Sequence, residues 1–245
     1  MSGSSRLERR YRALLRVLPG WYRAEREEEM VGLFLADRDD ELDLEHGWPG
    51  WGEAAATLGL AVRVRLGARR PAGELVRLVG LTGLVAQLAM VGQVASAVLL
   101  AGAPVQVAWW ADVPVVVAFA ALVAGYRAVG RVAAAVTGVL AAAPWVFAVA
   151  SGMSWWWTAL FALPVWITAA AVVVGFHAEA PRPSSRWWAP AVAGVVVGSV
   201  VWQTWSPAAV WLSWLSFLWA WVVAAAVVAV FRPWRAARRR APAGG

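Results

Sequence analysis

"LVGLTGLVAQLAMVGQVASAVLL", residues 78 to 100, carries no charged side chain from end to end, and its reading decides how the rest of the chain is read. A bilayer core about 30 Å thick takes roughly 20 apolar residues as an α-helix, because a helix satisfies every backbone N–H and C=O within itself. This stretch has that length. Five further segments, about 112–130, 132–150, 155–176, 187–205 and 208–231, follow the same pattern. The chain is 61% hydrophobic, well above the roughly 45–50% of ordinary soluble domains. The expected fold class is therefore all-α: an integral membrane six-helix bundle over residues 78–231. A small cytoplasmic three-helix domain, residues 1–77, precedes it, and a basic cytoplasmic tail, residues 232–245, follows.

The second segment is the least regular. Val113 to Tyr126 is uncharged but short, so the helix is expected to run on to about residue 130. Asp112 and Pro114 read as an N-cap and a first-turn proline, with Arg127 and Arg131 snorkelling to the headgroups. Pro144 and Pro164 are expected to kink the third and fourth segments.

Charge gives the orientation. All 22 basic residues are arginine, and the formal net charge is +7. Residues 1–77 hold as many arginines as acids, so the surplus falls on the remainder. There, Arg127 and Arg131 occupy one connection, Arg182 and Arg186 another, and Arg232, Arg235, Arg238, Arg239 and Arg240 the tail. The alternate connections, near 104–111, 151–154 and 206–207, are uncharged. By the positive-inside rule this places both termini on the cytoplasmic side of a multi-pass protein of the cell membrane. Arg69, Arg70, Arg127, Arg131, Arg182, Arg186, Arg235, Arg238, Arg239 and Arg240 are the expected surface anchors. The first strongly apolar run lies far from residue 1, so no secretory signal is expected.

Most of the 19 tryptophans fall near the ends of these segments, as in an aromatic belt. Trp166, Trp219 and Trp221 lie deeper, where each indole N–H needs a partner on a neighbouring helix. The polar residues inside the segments, among them Gln87, Gln93, Ser96, Thr137, Thr168 and Ser199, are neutral and scattered. Gly194 and Gly198 form a small-xxx-small face, read first as close helix packing, with an oligomer through it as the open alternative.

Ahead of the first segment, Leu7, Tyr11, Leu14, Leu15 and Leu18 recur at helical spacing among Arg6, Arg9, Arg10, Arg12 and Arg16. Pro19 and Gly20 end this helix, of about 5–18. A second, about 21–36, has Tyr22, Met30, Leu33 and Phe34 on its apolar side and Glu25, Glu27, Glu28 and Glu29 in its early turns. The opposite charges favour a hairpin. A third helix, about 51–68, follows an acidic linker and ends in arginine, where Arg63, Arg65, Arg69, Arg70 and Arg77 approach anionic headgroups. The residues expected to meet a cytoplasmic protein partner are Arg10, Tyr11, Tyr22, Arg23, Glu28, Glu29 and Met30.

The order "YRALLRVLPGWYRAEREEEM", a linker, then "EAAATLGLAVRVRLG" resembles the N-terminal helical module of actinobacterial membrane proteins of the HAAS type, often encoded beside PadR-type regulators. Tyr11, Leu14, Leu15, Pro19, Tyr22, Arg23, Glu28, Glu29, Met30, Leu33, Glu53, Ala54, Gly59, Leu60, Arg65 and Leu66 carry the resemblance, over about the first third of the chain. It implies a regulatory or signalling role. The long acidic linker departs from that pattern.

Enzyme readings find little to stand on. With no cysteine there is no thiolate nucleophile or cysteine-held metal, and His46 and His177 belong to no ligand or nucleophile motif. No catalytic residue, cofactor or metal is expected, and the charge balance of residues 1–77 speaks against nucleic acid. The competing expectation is a transporter or permease-like subunit that uses the leading helices as an assembly handle.

Overall fold

The computed structural model describes residues 6–36, 48–65, 71–101, 112–152, 155–177, 180–205 and 213–231. Among these the chain is all-helical. It divides into two compact units, Met1–Gly73 and Glu74–Gly245.

The first unit contains α1 (Arg6–Leu15), α2 (Gly20–Ala36) and α3 (Trp51–Arg65). Leu7, Tyr11 and Leu15, spaced by four residues, put one stripe of α1 inward, and all three are buried. The α1–α2 connection is tight because the Pro19 carbonyl accepts from the N–H groups of both Tyr22 and Arg23, which starts α2 at once. Tyr11, Leu15, Leu18, Val31 and Ala61 form the core, with Met30, Phe34 and Leu60 packed on it. Two cross-links orient α3 along α1. The Tyr11 hydroxyl donates to Glu53 Oε1 at 3.4 Å near one end, and Arg65 Nη2 donates to the Val17 carbonyl at 2.7 Å near the other.

The second unit contains α4 (Pro71–Ala101, its first turn spanning the boundary), α5 (Val113–Ala124), α6 (Arg127–Ala150), α7 (Trp155–Gly175), α8 (Trp188–Trp205) and α9 (Ser213–Phe231). Among the described residues, two helical stretches, Pro71–Ser96 and Arg127–Ala150, are by length and composition able to cross a membrane; Val113–Ala124, Ala162–Gly175 and Trp219–Phe231 are shorter apolar helices.

Several expected boundaries are corrected. The first apolar helix starts at Pro71, not 78, because proline fits a first helical turn. The expected helix over 112–130 is broken. Gly125 takes a left-handed φ of 95°, its N–H reaching the Leu122 carbonyl and the Tyr126 N–H the Ala121 carbonyl, and a new helix begins at Arg127. Arg127 and Arg131 thus open α6, and α5 is only 12 residues long, about 18 Å. Asp112 holds the N-cap position without a side-chain bond, since its own backbone is helical. Pro144 and Pro164 sit inside α6 and α7 without ending them.

Helix packing in this unit rests on small residues. A Cβ at Gly194 would stand 3.1 Å from Val85 Cγ1, and one at Gly198 would collide with the Ala89 carbonyl, so α8 lies almost backbone to backbone on α4. The small-xxx-small face is thus used for helix packing within the chain. Ser199 Oγ reinforces it, 3.0 Å from the Gly92 carbonyl. Trp166 finds the expected partner on a neighbouring helix, its Nε1 donating to the Gly138 carbonyl of α6 at 2.9 Å. The core gathers Leu84, Val85, Phe119, Leu122, Val172 and Phe176. Outward, valines stand uncovered: Val192, Val196 and Val200 along α8, and Val132, Val136 and Val139 along α6, the last 71% exposed.

Candidate functional site on the leading helices

Arg12 is the centre of the polar side of the α1–α2 hairpin. Its guanidinium meets the Glu28 carboxylate in a two-pronged pair, Nη1 to Oε1 at 2.7 Å and Nη2 to Oε2 at 3.0 Å. Nε donates to Glu8 Oε1 at 3.1 Å, one turn earlier on α1, and Glu27 lies 3.7 Å away. Planar fork meeting planar carboxylate is the strongest geometry open to such a pair. The hydrogen bonds that Arg12 donates hold the Glu28 carboxyl below the usual range, and donating to Glu28 and Glu8 raises Arg12 in turn. Arg12 stood in the sequence only as one of several basic residues. Its distinguishing signal was Glu8 at i−4 together with an acidic helix folding back on it.

The seven expected partner residues separate into two groups. Tyr11 is core: its ring stacks on Phe34 with centroids 3.9 Å apart and planes 2° from parallel. Burial first, and the Glu53 carboxylate second, push its phenol up to about 12. Tyr22 and Met30 also pack against the core cluster, and Arg23 is half-buried 3.9 Å from Glu27. On the outer surface remain Arg10, Glu28 and Glu29, the last 4.0 Å from Arg26. Leu33, one turn beyond Glu29 on α2, is uncovered as well. Much of the family-like pattern in this region is thus packing.

Of the expected membrane anchors, Arg69, Arg70, Arg235, Arg238, Arg239 and Arg240 lie outside the described residues. Arg127 and Arg131 are half-buried in the first turns of α6, and Arg182 and Arg186 are exposed in the α7–α8 connection. The structure brings these two connections together: a Cβ at Gly125 would stand 3.3 Å from Arg182 Cδ and Nε. Arg77, early in α4, packs on Gly175 at the close of α7, with 3.2 Å between its Cγ and a Cβ placed there. One end of the second unit therefore gathers Arg77, Arg127, Arg131 and Arg182.

Among the described residues no three His, Asp or Glu side chains form a metal-holding group. His177 is buried just after α7. Comparison of the chain with protein-family models, with curated proteins and with solved structures finds no match in any of the three.

Proposed function

We propose that the chain is an integral membrane protein in which residues 78–231 form a six-helix bundle with both termini on the cytoplasmic side. Its leading three-helix unit is a regulatory or signalling module that binds a cytoplasmic protein. The observation that carries the membrane reading is a pairing: valine-covered outer helix faces with arginines gathered at one end. Uncovered apolar surface on this scale is costly in water and ordinary in lipid, and guanidinium groups at one end fit the cytoplasmic headgroups. The short α5 leaves a mismatch with the apolar slab, met by local thinning of the bilayer and by snorkelling of Arg127 and Arg131.

The regulatory reading rests on the exposed hairpin residues Arg10, Glu28, Glu29 and Leu33, and on the resemblance to HAAS-type modules, which likewise stays a proposal. Transport is the weaker reading. The hydroxyls of Ser96, Thr137 and Thr168 each donate to a carbonyl of their own helix. The cavity beside Gln93 and Gly198 measures about 10 Å³, room for at most one water.

Because the chain has no cysteine, single cysteines test the topology. Ser151→Cys should react with an impermeant maleimide on intact cells and Ser185→Cys only after lysis; the reverse pattern sinks the orientation. For the partner, full-length protein crosslinked in its own membranes should capture a specific protein that a Glu28→Arg, Glu29→Arg double variant loses. Capture of nothing, or of the same protein by both, would overturn the regulatory reading.

A further inference from the structure

Helix α3 is apolar on two sides. Its inward side, Thr57, Leu60 and Ala61, belongs to the core. On a different side, Trp51, Ala55, Leu58 and Val62 follow one another at i, i+4, i+7 and i+11, so they form one stripe. All four are exposed, Trp51 at 83% and Leu58 at 51%. Trp48, just ahead of the helix, is exposed too. A three-helix unit of this size gains nothing from turning such a stripe to water, and arginine flanks it. Arg63 and Arg65 are exposed on either side of its C-terminal end, with Arg65 anchored through the Val17 carbonyl.

We infer that this stripe docks on the surface of an anionic bilayer, α3 lying in the headgroup region with Trp51, Leu58 and Val62 turned toward the acyl chains. The proposal rests on the membrane reading above. Three observations choose lipid as the occupant. Indole rings with one apolar and one polar edge settle at the headgroup boundary, where Trp48 and Trp51 would sit. The flanking guanidinium groups of Arg63 and Arg65, both exposed, match anionic headgroups. Only residues 66–70 separate α3 from α4, a tether of at most about 20 Å, so a membrane-crossing α4 keeps the stripe within reach of the surface. The docked state would set which faces of the α1–α2 hairpin a cytoplasmic protein can approach.

The test uses the full chain, one molecule per nanodisc, in phosphatidylcholine with and without phosphatidylglycerol. Nitroxide labels on Leu58→Cys, Ala56→Cys and Val139→Cys are read against oxygen, which concentrates in lipid, and a water-soluble nickel chelate. Ala56 is exposed well away from the stripe, and Val139 is the exposed mid-point of α6. In phosphatidylglycerol discs the label at 58 should collide with oxygen and not nickel, the label at 56 the opposite. Trp51→Glu should return position 58 to the aqueous pattern, and Arg63→Gln should weaken the docking equilibrium about fivefold. Equal nickel access at 58 and 56 would overturn docking, as would a label at 58 shielded from both reagents, the mark of a protein cover. A lipid pattern at 139 with an aqueous one at 58 defeats docking alone. An aqueous pattern at 139 defeats the membrane reading and docking with it.

Discussion

The two units solve the same problem, burying a helix face, with opposite materials. The first uses large side chains and charge: Tyr11 stacks on Phe34, Leu7 and Leu15 fill the interior, and Arg12 clamps Glu28 across the hairpin. In the second, backbones approach through Gly194 and Gly198, carbonyls take the Ser199 and Trp166 donors, and valines face outward. Where water is the surrounding solvent, apolar bulk must go inside and charge outside. In hydrocarbon, the setting proposed for the second unit, no such driving force brings helices together, so close van der Waals contact and hydrogen bonds decide.

That contrast can be broken by substitution. Leu15→Ala should cost the first unit about 3 kcal/mol through the cavity it leaves. Hydrogen exchange should locate the loss in α1–α3 and leave α4–α9 protected; a uniform loss would mean the units unfold together. Gly198→Ala adds a single methyl against the Ala89 carbonyl, and should lower stability in detergent by about 2 kcal/mol through forced separation of α4 and α8. A neutral result would show that α8 does not approach α4 so closely.

The third test is alkaline. The Tyr11 phenol is held up to about 12 from an ordinary 10.0, so the unfolded chain loses that proton first. The contribution is complete below pH 10 and disappears as pH rises toward about 12. Alkaline unfolding of α1–α3 should therefore fall in that window, and Tyr11→Phe should remove this part of the pH dependence. Gly32→Ala sharpens the comparison from the other side: nothing lies within 4 Å of a Cβ there. The added methyl should stabilise α2 by about 0.7 kcal/mol, against the loss at Gly198. Smallest of all should be Arg12→Gln, since the pair with Glu28 is open to solvent and screened. The Glu28 carboxyl is depressed, so whatever the pair contributes is present above the ordinary carboxylate range and fades as pH falls through the folded value. Melting in acid with and without Arg12 measures it, and high salt should abolish the difference.

Periodicity made Leu7, Tyr11 and Leu15 legible as an inward stripe, and turn chemistry made Pro19 legible as the hairpin corner. Tyr11 was nevertheless expected on the partner surface, because an amphipathic residue reads the same whether its polar tip meets solvent or, as here, Glu53. The helix break at Gly125 was missed because its uncharged neighbours keep an apolar run unbroken, while one left-handed φ suffices to stop a helix. The stripe on α3 was hidden for a different reason. Alanine, glycine, leucine and valine spread round that helix give it no single apolar side to read.

What the chain's composition determined by itself is the partition between a charge-balanced leading segment and a long apolar remainder, because hydropathy and charge are properties of residues wherever they fold. Helix type followed as well, since alanine, leucine and valine runs with few strand-and-turn alternations satisfy their backbones locally. Which small residues meet which helix, which arginine pairs with which acid, and that Arg182 comes to rest on Gly125 were decided only by tertiary packing. Those contacts join residues far apart along the chain, and no local preference encodes the choice among equally apolar faces.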